Sequence, residues 1–177
     1  MLELKNLNIG YGATAIQRNL NLNIGVGQFI ALVGNNGCGK STLLKTICGV
    51  NPPLGGTIVI GDKPSQELSS AQLATRVAVV LTDRISGFNI TAFDVVASGR
   101  IPYINSFGFL SEEDKAIVKS CMQEIGIEEL ASRLYDELSD GQKQKVLIAK
   151  ALAQQTPIIL MDEPTAFLDY KSRVALF

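Results

Sequence analysis

Gly34, Gly39, Lys40 and Ser41 stand at the spacing GxxxxGK[ST] inside GNNGCGKS, and residues of these types at this spacing hold phosphates. The apolar run Phe29 to Val33 before them reads as a buried parallel strand, and Ser41 to Cys48, with Leu43, Leu44 and Ile47 at helical spacing, reads as a helix. A glycine-rich turn between a strand end and a helix start presents backbone N–H groups and the positive end of the helix dipole to an anion. Gly37 and Gly39 let the chain curl close to it, and Asn35, Asn36 and Cys38 complete the loop. Lys40 would place a full charge between β- and γ-phosphates, while the Ser41 hydroxyl would hold Mg²⁺.

A second group supplies acids. Pro157 to Met161 is almost wholly apolar and ends in Asp162 and Glu163, as a central strand opening onto a site would. Taken alone, an Asp-Glu pair after a strand is a polar loop start. Beside a phosphate loop it gains a chemistry: Asp162 organises the Mg²⁺ shell, and Glu163 orients and polarises the attacking water.

Between the two stands LSDGQ, Leu138 to Gln142. By itself this is a capping sequence, Ser139 closing the start of a helix that runs from Gly141 to about Ala153. In the order phosphate loop, helical insertion, LSDGQ, IILMDEP, the chain resembles the nucleotide-binding subunit of ATP-binding-cassette transporters over Met1 to Phe177. The resemblance implies ATP and Mg²⁺ as cofactors, ATP hydrolysis coupled to transport, and a homodimer with a second ATP-binding subunit. In that dimer Ser139, Gly141 and Gln142 would meet the nucleotide bound to the opposite copy. It also implies transmembrane permease subunits as partners, no direct contact with the transported substrate, and a cytoplasmic position, peripheral on the inner face of the cell membrane. Tyr11 lies where the family stacks an aromatic on adenine, though it could equally pack on a sheet edge. Thr42 would reach the α-phosphate, and Ala166 to Asp169 matches a family segment at the dimer interface.

The sequence departs from the family in three places. Asp140 stands where glycine is commonest in the signature; a carboxylate there repels phosphate little if it faces water. Thr82, followed by Asp83, stands where the family has the glutamine that contacts metal and membrane partner. The chain has no histidine, whereas the family carries a switch histidine on a further strand beyond the acidic one. Because Phe177 falls inside what reads as a new helix after Asp169, a C-terminally truncated chain that hydrolyses ATP poorly is expected, with a natural short form as the alternative.

These residues need a scaffold. The expected fold class is α/β: a P-loop NTPase core with a mainly parallel sheet, a small antiparallel β-region near the N-terminus and an inserted helical subdomain. Leu2 to Ile9, Leu20 to Ile24 and Thr57 to Ile60 supply the antiparallel strands. From Thr91 to Leu134 the pattern is helical, with Ser111 capping an acidic start and Ile117, Val118, Cys121, Met122 and Ile125 marking one buried face. The chain reads as one domain, 1–177, with 1–82 and 155–177 forming the core and 83–154 the helical subdomain.

Composition excludes other classes. The formal net charge of −1 gives no reason to expect nucleic acid as a partner. No stretch is apolar enough to span a bilayer, and the start lacks the features of a signal peptide. Three cysteines without metal-like spacing suit a reducing compartment. Cys38, inside the phosphate loop, is either a reactive thiol beside a helix start or a small filler.

The stretch GRIPYINSFGFLSEEDKAIV, Gly99 to Val118, is similar to one in importers of ferric siderophores and haem, with Tyr103 replacing their histidine. Iron-chelate import is the reading this branch implies, with cobalamin or another metal chelate next. A soluble cassette ATPase acting on ribosomes or DNA, and a non-hydrolytic nucleotide-binding module, are the rivals from other classes.

Overall fold

The computed structural model describes residues 1–81, 89–104 and 108–163. The chain forms two compact units, Met1–Val77 and Ala78 onward.

The first unit is built on an antiparallel sheet in the order β2-β1-β3-β4, from β1 (Leu2–Tyr11), β2 (Thr14–Ile24), β3 (Gly55–Ile60) and β4 (Lys63–Pro64). Leu2, Leu4, Leu7 and Ile9 of β1 are all buried, which strict alternation forbids, since Leu4 and Leu7 are an odd number of residues apart. A register shift between Leu4 and Leu7 resolves the conflict, with Asn6 at φ 47° inserted as the extra residue. Asn21 steadies it, accepting from the Asn6 main-chain N–H at 2.9 Å. Asn19, at φ 55° on β2, donates its own main-chain N–H to Asn8 Oδ1 at 2.9 Å. Asparagine tolerates this left-handed backbone better than most side-chain-bearing residues. At the β1–β2 turn, a Cβ on Gly10 would strike the Thr14 carbonyl oxygen, so only glycine fits. Helix α1 (Lys40–Ile47) packs against β1 and buries Thr42, Leu43, Thr46 and Ile47. The short helix α2 (Ser70–Ala74) closes the unit.

Among the described residues the expected strand Phe29 to Val33 is not formed. The segment joins neither sheet, and Phe29 and Val33 are 77% and 90% exposed. An apolar run becomes a buried parallel strand only when strands distant in sequence flank it, and nothing within the run specifies that pairing.

In the second unit β5 (Val77–Val80), which begins at the boundary, pairs with β6 (Ile158–Met161) in a two-stranded parallel sheet. Ala78 and Val80 pack with Ala151. Helices α3 (Ala92–Ala97), α4 (Glu112–Ile125) and α5 (Asp140–Ala153) enclose an apolar core that includes Val96, Val118, Met122, Ile127, Val146 and Ala149. The face anticipated on α4 is the one that packs: Val118, Cys121 and Met122 are buried, and Ile117 and Ile125 lie against them. Ser111 caps α4 as expected, accepting from the Asp114 N–H at 3.1 Å while Asp114 accepts from the Ser111 N–H at 3.1 Å. The same reciprocal bonding starts α2 at Ser69, α3 at Thr91 and α5 at Ser139.

Candidate functional site

The phosphate loop lies in the first unit. Gly37 and Gly39 take φ values of 80° and 99°, a backbone region that side-chain-bearing residues rarely enter. Gly39 is the N-cap of α1, so no side chain caps that helix, and its first turn carries no acid. Among the described residues, neither an N-cap side chain nor a first-turn acid competes with an anion for the N–H groups and dipole of this helix start. Lys40 Nζ donates to the carbonyls of Gly34 at 2.8 Å and Asn35 at 3.0 Å, holding its charge over the loop. The turn within the loop is closed by the Cys38 N–H on the Asn35 carbonyl at 3.3 Å. Asn36 and Gly37 are exposed, and Ser41 is half-buried on the first turn of α1.

Cys38 is half-buried, and a Cβ at Gly34 would come within 2.8 Å of its sulfur. The thiol thus fills the space that glycine leaves at Gly34, which favours the packing role over the reactive one. Gln17 on β2 braces the loop from outside, its Nε2 donating to the Cys38 carbonyl at 3.1 Å. Nothing in the sequence marks Gln17, because its contact joins segments that only the fold brings together.

Tyr11 ends β1 beside this loop. Its hydroxyl lies 3.4 Å from Thr42 Oγ1, and the residue is 56% exposed. Hydrogen bonding by the Thr42 side chain, then by Asn51, holds the phenol below its ordinary value. The aromatic is therefore tethered at its polar tip to the buried threonine, Thr42, while the residue stays more than half exposed.

The acids and the signature helix lie in the second unit. Asp162 follows β6, is 5% exposed, and donates its main-chain N–H to the Val80 carbonyl at 2.9 Å. Glu163 is exposed and sits at φ 47°, a region unfavourable to a residue with a Cβ. Such strain persists where the surrounding chain over-determines it, and it concentrates at working sites. Ser139 is exposed and caps α5: its Oγ accepts from the Gln142 N–H at 3.3 Å, and the Ser139 N–H donates to Gln142 Oε1 at 3.0 Å. Gly141 is half-buried between them. Just before the helix, burial, then Asp136 and Asp140, push the Tyr135 phenol up to about 12. Gln144 is buried, and its Nε2 has no hydrogen-bond partner among the described residues. The expectations for Thr82, Asp83 and Ala166 to Asp169 fall outside the described residues.

The sequence model described as "ABC transporter" matches residues 17–166 of this chain. The chain belongs to the ABC transporter family.

Among relatives in that family, an uncharacterized ABC transporter ATP-binding protein of Methanocaldococcus jannaschii is 43% identical, over 99% of this chain and 61% of its own length. The iron(3+)-hydroxamate import ATP-binding protein of Bacillus subtilis is 39% identical, over 95% of this chain and 62% of its own. The chain thus spans under two thirds of either relative. A bacterial ABC transporter cassette solved as a dimer superposes with a TM-score of 0.83 at 30% identity, over 98% of this chain and 78% of that one. The fold is the α/β P-loop ATPase cassette that the motifs implied.

Proposed function

We propose that this chain binds and hydrolyses ATP to power a membrane importer, of ferric siderophores or related metal chelates. The observation that carries the proposal is the start of α1: a left-handed glycine cap with no competing side chain, and Lys40 held over the loop by two carbonyls. Phosphates entering there replace the Gly34 and Asn35 carbonyls as acceptors for the Lys40 ammonium. Gly34, Asn35, Asn36, Gly37, Cys38, Gly39 and Ser41 wrap them with main-chain N–H groups, Thr42 reaches the α-phosphate, and the ring of Tyr11 takes the adenine.

Among the described residues no group of three or more His, Cys, Asp or Glu is placed to hold a metal alone. Mg²⁺ keeps water and substrate phosphates in its shell and needs few protein ligands. Ser41 and Asp162 are the residues that would hold it, and when bound it neutralises charge on the phosphates. Glu163 orients the attacking water and accepts its proton. Ser139, Gly141 and Gln142 meet the nucleotide of a second copy, so two chains act together.

Residues 1–82 and 155–177 then form the nucleotide-binding core and 83–154 the helical subdomain. Among the described residues no helix is long and apolar enough to cross a membrane. The reading is of a cytoplasmic subunit, peripheral on the inner membrane face, docked on permease subunits and touching neither nucleic acid nor the transported chelate. The import class rests on the Gly99 to Val118 stretch and on the B. subtilis relative, whose name carries iron(3+)-hydroxamate import.

An ATPase assay of the full chain with and without its membrane subunits tests this. Stimulation by those subunits is expected. Turnover indifferent to them would point to a soluble cassette ATPase, and tight ATP binding with no turnover to a non-hydrolytic module.

A further inference from the structure

The motif Gly99 to Tyr103 suggested a transport branch in the sequence, but in the structure it does mechanical work on α5. It lies in a 3₁₀ turn, Ser98–Tyr103, packed against the C-terminal half of that helix. A Cβ on Gly99 would collide with the Lys150 carbonyl oxygen, so glycine is what allows the approach. Arg100, only 5% exposed, then reaches α4, the end of α5 and the turn that follows it. Its Nη1 donates to the Ala153 carbonyl at 2.8 Å and to Gln155 Oε1 at 3.0 Å, and its Nε donates to Asp114 Oδ1 at 2.8 Å. Its guanidinium lies 4.2 Å from the centre of the Tyr103 ring, and the Tyr103 hydroxyl donates to the Gln154 carbonyl at 2.8 Å.

One short turn therefore satisfies the closing carbonyls of α5 and places a cation at the negative end of its dipole. The anchor on the far side is Asp114, which also completes the cap of α4 through Ser111. Helix α5 has 14 residues, so it reaches about 21 Å at the usual rise per residue, and it behaves as a rod over that length. Its other end is the Ser139 cap, exposed to solvent. A buried ion pair adds little net stability but fixes geometry, because its partners tolerate few arrangements. The direction of the rod, and so the place of Ser139, is set where Arg100 holds it.

We infer that Arg100 is a positioning residue: by clamping the C-terminal end of α5 to Asp114, it sets the alignment with which Ser139 meets the nucleotide on a second copy. This rests on the function proposed above.

The test uses the full chain, with Arg100→Lys and Tyr103→Phe. Lysine keeps a charge facing Asp114 but cannot form the fork, and phenylalanine removes a single hydroxyl, so the second variant folds. Each is measured for ATP affinity, for kcat and KM per nucleotide-binding chain, and, in a Glu163→Gln background, for ATP-driven self-association. ATP affinity and KM are expected to stay within about twofold, since the phosphate loop is untouched. Association and kcat are expected to fall roughly tenfold in Arg100→Lys, the loss of one charge-assisted hydrogen bond, and about threefold in Tyr103→Phe. Variants that associate and turn over like the parent, or that lose activity only in proportion to lost nucleotide-binding chains, overturn the inference. Failure of the functional reading shows separately, as an unsubstituted chain that binds no ATP, and removes this inference with it.

Discussion

Lys40 turns back onto the loop that precedes it, its ammonium donating to the Gly34 carbonyl at 2.8 Å across six residues of chain. The charge that a phosphate needs is thus already stationed over the loop, held by acceptors that a more negative ligand outcompetes. In the function proposed here, binding would replace these two carbonyl partners by phosphate oxygens and leave the side chain nearly in place.

Lys40→Ala should therefore abolish useful ATP affinity. Two charge-assisted hydrogen bonds to phosphate represent a loss of roughly a hundredfold or more, read by equilibrium titration with a fluorescent ATP analogue. The fold should be almost unaffected, within about 0.5 kcal/mol by urea denaturation, because the bonds lost are at the surface.

Tyr11 separates the hydroxyl from the ring. If the ring stacks on adenine, Tyr11→Phe loses only the hydroxyl's bonding to Thr42, 3.4 Å away, and to Asn51, and should change ATP affinity by no more than about twofold. Tyr11→Ala should weaken it by about tenfold or more, the usual worth of one stacked base. Equal losses in both variants would assign the role to the hydroxyl.

Asp114 predicts a pH dependence for the helical part of the chain. Hydrogen bonding by the Ser111 side chain, then by Arg100, holds its carboxyl below the usual range in the folded state. Protons therefore bind the unfolded chain more readily, and the stabilisation is complete above the unfolded value, near pH 4 by reference peptides. It is lost as pH falls through the depressed folded value. Helix melting followed by circular dichroism should show this acid loss, and Asp114→Asn should flatten it while lowering stability at pH 7. Asp114→Ala, leaving buried Arg100 without its carboxylate, should cost about 3 kcal/mol or more.

Ser139 combines a cap with a proposed contact, and two substitutions separate them. Ser139→Ala loses the bond from the Gln142 N–H and should cost about 1 kcal/mol of stability. Ser139→Asp restores a cap of similar rank but brings negative charge to a place meant for phosphate. Thermal denaturation should show recovery in the aspartate variant, while light scattering with ATP should show association lost in both.

What the sequence made legible is the part governed by local chemistry. The caps at Ser111 and Ser139, the glycine turn at Gly37 and Gly39 and the apolar face of α4 each follow from residues within a few positions of one another. Features set by distant partners were not legible. Leu2 to Ile9 read as a plain alternating strand, yet the bulge at Asn6 depends on Asn21 across the sheet. Phe29 to Val33 read as a strand from apolarity alone, and pairing decides otherwise. Arg100 passed for a branch marker because its partners, Asp114, Ala153 and Gln155, are 14, 53 and 55 residues away.

The left-handed backbone at Glu163, φ 47°, beside buried Asp162 is where the account places the hydrolytic step. The most direct test is ATP turnover by Glu163→Gln in the full chain, measured as phosphate release alongside ATP affinity. ATP binding is expected within about twofold of the parent and turnover reduced roughly a hundredfold or more, in the range of losing a general base. Phosphate release at the parental rate, with ATP bound normally, would contradict this role for Glu163.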